Sequence, residues 1–590
     1  MSYIAPTKEM NFVLESIADL DQVCSLSAFS ESSPELIASV LEEAAKFASG
    51  VLAPLNTVGD LIGTKIVDNQ VRETSGFAEA YQQFIAGGWT TLACNPEYGG
   101  MGLPECVGVA ATEMWAASNV SFGLCPLLGE GAIEALQSHA DEDLRTLYLE
   151  KMISGQWTGT MNLTEPQAGS DLAAIKTRAT RDGDHYLIQG TKIFITWGDH
   201  QMTENILHLV LARTTDAPEG VRGISLFLVP KNLVDADGSI VSANDVLAQS
   251  VEHKIGIHGS PTCVMAFGAN GPGATGYLIG EENMGLTYMF TMMNHARLSV
   301  GVQGVALSDR AYQQAVSYAK QRVQGNPPNQ STSAAIIQHP DVKRMLMLMR
   351  ALTEGSRALC YLTAASFDIG HKADDEAISQ GALSRGELLT PIAKAWSTEV
   401  SQEVTSLGVQ VHGGMGYIEE TGAAQFMRDA RITTIYEGTS GIQANDFIGR
   451  KVLRDNGVEL HHLIAEVRET ITQLNDTDGF TTVAINLKNH IDSLDELTTW
   501  LVVEHKDDQQ LAAAVAFNFL MGAGTCIAGW LLAKSALVAT AREQEDANFY
   551  GAKITTCRFY SAHVLPRAAA YFATVKASTD SSLMLVEDRF

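Results

Sequence analysis

Cysteine is scarce in this sequence, and no two cysteines have a spacing that is typical of a metal site or a redox motif. Eight are scattered over 590 residues, and none forms the CxxC pair of a zinc ribbon or a thioredoxin-type site. The N-terminal segment also lacks the basic-then-apolar pattern of a signal peptide. We therefore expect reduced thiols, no metal site and a cytoplasmic location.

Positive charge is also in short supply. The chain has 40 lysines and arginines against 68 aspartates and glutamates, which gives a formal net charge of −28. Such an acidic chain repels phosphate backbones and anionic lipid surfaces. Nucleic acid is therefore not predicted as a partner.

Long uncharged runs are rare, and the most prominent one covers residues 511–533. Its length would allow it to cross a bilayer. It is rich in alanine and glycine, contains Asn518 and Thr525, and lies among amphipathic helical segments. We favour a helix buried in a bundle over a membrane contact.

The patterns that are present predict an α+β protein, mostly α, with four units, because 590 residues exceed one ordinary core. Apolar residues at helical spacing predict an N-terminal helical domain over residues 1–156. Runs of β-branched and aromatic residues bounded by Gly, Asp and Pro predict a small β-domain over 157–281. Long amphipathic helices predict a helical bundle over 282–455, followed by an additional C-terminal helical domain over 456–590.

Five segments contain candidate functional residues, and four of them are ambiguous when taken singly. The turn in 161–171 (MNLTEPQAGSD) could bond a heterocycle or phosphate, or be a plain loop. Phe194 and Thr196, two apart on a predicted strand, share one face and fit either a ligand platform or a core aromatic with a surface threonine. Residues 294–298 (NHARL), at the opening of a long helix, and 322–325 (RVQG) contain arginines that would be unremarkable alone.

The fifth segment, residues 410–443, is the most informative. Gly413, Gly414 and Gly416 would allow close backbone approach to a large ligand. Glu437 lies between the apolar-aromatic pair Ile435-Tyr436 and a Gly-Thr turn. A carboxylate in such a setting is poorly solvated, which raises its pKa toward the range that suits proton abstraction.

Together, the five segments resemble the acyl-CoA dehydrogenase family from about Phe77 to Lys451. The overall length is similar to a long bacterial branch whose members act on fatty acyl-CoA or on 3-methylmercaptopropionyl-CoA. The resemblance implies a flavoprotein of fatty acid β-oxidation that uses FAD to desaturate an acyl-CoA thioester between its α and β carbons. It also implies a homodimer that passes electrons to an electron-transfer flavoprotein.

The resemblance further assigns a role to individual residues. Glu437 is the expected base, and Ala296 stands where one branch of the family carries its base instead, so that position cannot act. Phe194 replaces a more common Trp, which loses the indole N–H, and His339 replaces a common Gln. The implied FAD-binding residues are Met161, Leu163, Thr164, Gly169, Ser170, Phe194, Thr196, Arg322, Gln324, His339, Gln410, Gly414 and Thr439, and the implied substrate-binding residues are Ser170, Asn294, Arg297 and Gly438.

Three alternatives stay open. An acyl-CoA oxidase would perform the same half-reaction with oxygen as acceptor. A DNA-associated flavoprotein on the same fold would need a basic C-terminal domain, whereas the residues beyond Asp455 include many acids. A relative without activity would not need Glu437 and Arg297. The sequence does not indicate the acyl chain or the role of the C-terminal domain.

Overall fold

The N-terminal quarter of the protein is mostly helical. The computed structural model describes residues 3–590, with the side chains of 509 and 578–582 outside that description. The helices of this region are α1 (Thr7–Ser16), α2 (Leu20–Cys24), α3 (Pro34–Phe47), α4 (Ala53–Ile62), α5 (Phe77–Ala86), α6 (Glu105–His139) and α7 (Glu142–Ile153). Helix α3 begins where the Ser33-Pro34 pair predicts it, and the Ser33 side chain accepts a hydrogen bond from the N–H of Leu36. A short hairpin, β1 (Lys65–Val67) and β2 (Gln70–Arg72), was not predicted.

The central region is the expected β-domain. Its strands are β3 (Trp157–Asn162), β4 (Arg178–Asp182), β5 (His185–Thr196), β6 (Asn205–Thr214), β7 (Ser225–Pro230), β8 (Asn232–Val234), β9 (Ile240–Ala243), β10 (Val246–Val251), β11 (Thr262–Phe267) and β12 (Ala274–Leu278). The main sheet has the order β10-β11-β5-β12-β7-β6-β3, and β4 pairs with β5 and β6. Strand β6 alternates between two cores: Leu207, Leu209 and Leu211 face the helices, and Val210 and Ala212 face the opposite core.

Long helices form the remainder of the chain. The bundle consists of α8 (Gly285–Gln321), α9 (Pro340–Lys372), α10 (Glu376–His412), α11 (Ala423–Ala430) and α12 (Ser440–Asp446). The C-terminal domain consists of α13 (Val458–Asn475), α14 (Thr481–Glu504), α15 (Gln509–Ala541), α16 (Ala547–His563) and α17 (Arg567–Ser582). The order of helical, β and helical regions confirms the predicted fold class.

The uncharged run lies in α15, which packs against the bundle. Among the described residues, one helix is long and apolar enough to cross a membrane, but 78% of its most apolar window is buried within the protein. Its glycines allow this contact, since a Cβ at Gly524 would lie 2.6 Å from Cγ of Trp396 on α10. The indole N–H of Trp396 donates to Oγ1 of Thr525 over 3.2 Å. The helix therefore joins the C-terminal domain to the bundle.

The position of residues 294–298 differs from the expectation. Helix α8 begins at Gly285, so Asn294 and Arg297 lie in its interior and not at its opening, and Asn294 is not a turn residue. The reason is that residues 286–300 contain neither glycine nor proline. A helix that starts after the turn at Gly280 therefore continues without a break.

A buried ion cluster joins helix α1 to helices α9 and α16. Nζ of Lys553 on α16 lies 2.5 Å from Oε1 of Glu9 on α1 and 2.7 Å from Oε2 of Glu354 on α9. All three side chains are buried. Burial alone would raise the pKa of Glu354, but Lys553 and Arg350 together lower it to about 2. The cluster links three regions that are distant in sequence.

We predict that Lys553→Met releases α1. Two buried carboxylates would lose their shared cation, a change that typically costs about 3–5 kcal/mol. Hydrogen exchange should show faster deuterium uptake over residues 7–16. The matched control is Lys8→Met, which removes a more exposed partner of Asp546 from the same two regions. Equal uptake in both variants would contradict the role of Lys553.

Candidate active site

A buried ion pair joins the first two candidate segments. Lys192 Nζ on β5 lies 2.8 Å from Oε1 of Glu165 and donates to the carbonyl of Leu163 over 3.0 Å. The N–H of Ile193 donates to the carbonyl of Thr164 over 2.9 Å. Burial lowers the pKa of Lys192 to about 8, although Glu165 opposes the shift. The pair therefore fixes the turn after β3 against β5.

Phe194 projects from a bulge in β5. Ile195 pairs with Cys263 and Lys192 pairs with Met265, so two residues of β5 oppose the single Val264 of β11. Phe194 has a φ of +61°, and its side chain is 58% exposed. A large aromatic ring held outward in a strained backbone presents a free stacking face. This excludes the reading of Phe194 as a core residue.

The turn beside this ring contributes residues of several kinds. Met161 is buried in the core between sheet and helices, and Leu163 packs against that core. Thr164 and Thr196 are half-buried, whereas Gly169 and Ser170 are exposed. A Cβ at Gly169 would meet no atom within 4 Å, so a ligand could approach the backbone there. Open backbone, hydroxyls and an exposed aromatic ring fit the edge and face of a flavin.

A second group of predicted cofactor residues meets at the far end of α8. Nη2 of Arg322 donates to Oε1 of Gln324 over 3.1 Å. Nε2 of His339 lies 2.9 Å from the carbonyl of Gln324. Arg322 and Gln324 are exposed, so the cation and amide are available to a phosphate group.

The glycines after α10 divide into two kinds. Gln410 and Gly414 are exposed, and a Cβ at Gly413 or Gly414 would meet no atom within 4 Å. This leaves room for the close approach that the sequence predicts. Gly416 is different, because a Cβ there would lie 2.2 Å from the carbonyl oxygen of Val409. Gly416 therefore permits the chain to fold back closely on α10.

Glu437 lies in a tight turn that leads into α12. Its φ is +55°, and that of Gly438 is +88°, so two successive residues are left-handed. Thr439 caps α12, since its Oγ1 accepts from the N–H of Ile442 over 3.2 Å. Among the described residues, the backbone N–H of Glu437 has no protein acceptor. The turn therefore presents a carboxyl group and a free N–H donor from the same residue.

The surroundings of Glu437 favour its protonated form. Glu437 is half-buried. Burial raises the pKa of Glu437, and Lys394 and Arg297 oppose this rise without cancelling it. The structure thus confirms the poorly solvated carboxyl group that the local sequence predicts.

Arg297 approaches Glu437 from α8. Its guanidinium is buried, with Nη1 lying 3.3 Å from Oδ2 of Asp446 and 3.3 Å from Oδ1 of Asn294. The ring of Phe290 lies beneath it at 5.8 Å. The structure thus places the buried Arg297 near Glu437, with the exposed Asn294 hydrogen-bonded to it, and their contact with the substrate stays a prediction.

Comparison with known proteins identifies the family. The chain matches the acyl-CoA dehydrogenase N-terminal domain over residues 39–156, the middle domain over 160–269 and the C-terminal domain over 283–453. Residues 463–586 match a domain described as acetyl-CoA dehydrogenase C-terminal like. The protein belongs to the acyl-CoA dehydrogenase family of oxidoreductases.

Two curated relatives cover the whole chain. The 3-methylmercaptopropionyl-CoA dehydrogenase of Ruegeria pomeroyi is 46% identical over 99% of both chains. The broad-specificity linear acyl-CoA dehydrogenase FadE5 of Mycobacterium tuberculosis is 31% identical over 100% of both. Among solved structures, Caenorhabditis elegans ACDH-11 in complex with C11-CoA has a TM-score of 0.75 at 21% identity, covering 96% of this chain and 92% of that one. At that identity, the likeness shows the fold alone.

Sequence reasoning did not assign three residues that organise the site. Glu165 lies within residues 161–171 and Lys192 lies two residues before Phe194, but nothing in these segments indicates that their side chains pair. Lys394 lies in a helix without a motif, 43 residues before the base, and its Nζ donates to the carbonyl of Gly438 over 2.7 Å. The sequence does contain one signal for Lys394, because a lysine between apolar neighbours in a largely apolar helix indicates a buried lysine with a specific partner.

We predict that Lys192→Met weakens FAD retention by about tenfold or more, because Glu165 would remain buried without its cation, and 1.4 kcal/mol already corresponds to tenfold in affinity. Flavin release, followed by fluorescence, measures the effect. The control is Lys176→Met, an exposed lysine on the same loop. Retention equal to that of the control would show that the ion pair does not support the cofactor site.

Proposed function

We propose that this protein is an FAD-dependent acyl-CoA dehydrogenase in which Glu437 removes the α-proton of the thioester. The observation that carries the proposal is the turn at Glu437, which pairs a carboxyl group of raised pKa with a free N–H donor. The exposed Phe194 ring and the open glycine turns support a flavin site. Membership of the family supports the reaction class.

The residues of the chain supply positioning and electrostatics. The N–H of Glu437 can donate to the thioester carbonyl and stabilise negative charge on its oxygen as the α-proton leaves, a contribution of about 3–4 kcal/mol per donor in comparable oxyanion sites. The carboxylate accepts the proton, and its raised pKa makes it a stronger base than a solvated glutamate. Bound FAD supplies the acceptor for the β-hydride. Phe194 and the turn after β3 hold the reacting groups in place.

For the acyl group, we propose a short, straight chain such as 3-methylmercaptopropionyl-CoA. The support is the 46% identity, over nearly the full length, to an enzyme named for that substrate. A straight four- to five-atom acyl group is also close to the butyryl group in the name of a 32% identical relative from Syntrophomonas wolfei. Electron transfer to an electron-transfer flavoprotein, a homodimer and a cytoplasmic location are parts of the same proposal.

Replacement of the base tests the mechanism. Glu437→Gln removes the proton acceptor while keeping the size of the side chain, so FAD and ligand should still bind while flavin reduction slows by about 10²–10⁴-fold. In the unchanged protein, the reduction rate should rise with pH through a pKa above the usual glutamate value, because the raised pKa keeps Glu437 protonated at lower pH. Glu387→Gln on the exposed face of α10 is the control. A full rate in Glu437→Gln would remove Glu437 as the base.

A panel of acyl-CoAs tests both the substrate and the acceptor. Under anaerobic conditions, 3-methylmercaptopropionyl-CoA and butyryl-CoA should bleach the bound flavin faster than long or branched acyl-CoAs. Admission of oxygen should restore the oxidised flavin slowly, and electron-transfer flavoprotein should restore it quickly. No bleaching by any member would contradict the dehydrogenase, and rapid reoxidation by oxygen would favour an oxidase.

A further inference from the structure

A lysine lies directly behind the turn that carries the base. Lys394 on α10 is fully buried, and its Nζ donates to the carbonyl oxygen of Gly438 over 2.7 Å. This places an ammonium group within the bundle one residue from Glu437. A buried lysine is rare unless it is paired or has a function.

Both backbone carbonyls of the Glu437–Gly438 turn accept a side-chain hydrogen bond. Nε2 of Gln443 donates to the carbonyl of Glu437 over 3.1 Å, and Lys394 holds the carbonyl of the next residue. Glu437 is not glycine, so its left-handed conformation persists only where neighbouring groups enforce it. These two donors fix the direction of both the carboxyl group and the free N–H of Glu437.

The charged groups around Lys394 have polar partners of their own, whereas Lys394 bonds a neutral group. Lys394 is faced by Glu437, by Glu399 from its own helix and by Arg297 from α8. Arg297 is ion-paired with Asp446, and Glu399 accepts a hydrogen bond from Ser440. The hydrogen-bond partner of Lys394 is a neutral carbonyl, so its positive charge acts on Glu437 without a salt bridge of its own.

We propose that Lys394 is a positioning residue for the reaction, which fixes the Glu437–Gly438 turn through the Gly438 carbonyl and sets the proton affinity of the base with a buried positive charge. The inference rests on the proposed role of Glu437. It assigns to α10 a function that none of the five sequence motifs contains.

The charge on Lys394 changes near neutral pH. Burial lowers the pKa of Lys394 to about 7, while Glu437 and Glu399 oppose the shift. Below that pH, the ammonium stabilises the Glu437 carboxylate and restrains the rise in its pKa. Above it, the lysine becomes neutral, the restraint weakens, and Glu437 becomes a stronger base. The two groups therefore titrate as a coupled pair.

Three substitutions separate the two roles. Lys394→Met removes both the donor and the charge, Lys394→Gln keeps a neutral donor, and Lys394→Arg keeps the charge. The pKa of Glu437 is read in each holoenzyme from the infrared carboxyl band that Glu437→Gln lacks. The methionine and glutamine variants should raise this pKa by about one unit, and the arginine variant should restore it. The control is Lys451→Met, which removes a lysine paired with Glu387 away from the turn.

Stopped-flow flavin reduction supplies the second readout. At pH values below the Glu437 pKa of both proteins, we expect the methionine variant to be slower by about tenfold, with the loss in kcat and not in KM, because a one-unit rise in the pKa then leaves tenfold less ionised base. The inference is overturned if Glu437→Gln is inactive but the methionine and glutamine variants keep the wild-type carboxyl pKa and pH profile. It is also overturned if neither neutral variant folds with FAD, which would make Lys394 purely structural. Full activity of Glu437→Gln would instead overturn the proposed function itself.

Discussion

The site depends on keeping one carboxyl group out of water while still allowing it to ionise. Burial raises the pKa of Glu437, which would make it a stronger base in the proposed reaction but also leaves less of it in the charged form that accepts a proton. Neighbouring positive charges stabilise the carboxylate and so lower the pKa of Glu437. A stronger positive charge would return that pKa to the usual value for glutamate. Arg297, held by Asp446, and Lys394, bonded to a neutral carbonyl, provide two cations of unequal effective charge. The carboxyl group of Glu437 is kept near these two cations by three features of the backbone. These are the left-handed turn, the hydrogen bonds to its two carbonyls and the cap of α12.

Buried lysines also join separate elements at two other places in the chain. Lys192 joins the turn after β3 to β5, and Lys553 joins α1 to α9 and α16. In both places a buried lysine contacts carboxylates, so the cation and anion compensate each other and the junction is rigid. Lys394 contacts a carbonyl instead, so its charge remains available to Glu437. All three lysines are buried, so their different roles follow from their partners. Lys192 and Lys553 form ion pairs that hold two elements together, whereas Lys394 bonds a neutral carbonyl and can influence the pKa of Glu437.

The fold class was predictable from sequence because it depends on local patterns, whereas the role of Glu437 as the base comes from the family resemblance and stays a prediction. Helical and strand periodicities gave the order of regions, and the apolar residues beside Glu437 indicated its poor solvation. The bulge that exposes Phe194 was not predictable, since it arises from a register shift against β11. Nor was the pairing of Lys192 with Glu165, which are 27 residues apart. Residues 294–298 were misplaced at the opening of a helix because no side-chain cap marks the start of α8 nine residues before Asn294.

The C-terminal domain gains a physical role from these contacts. Helix α15 packs behind α10, where Trp396 and Thr525 are hydrogen-bonded, and Phe519 stacks on Phe447 just beyond α12 at 5.5 Å. Helix α10 carries Lys394 and α12 follows Glu437, so α15 packs against both elements that support the turn. A position error of about 1 Å in a catalytic group can cost about 10²-fold in rate. In the proposed reaction, the contacts of α15 would support the position of Glu437 through α10 and α12.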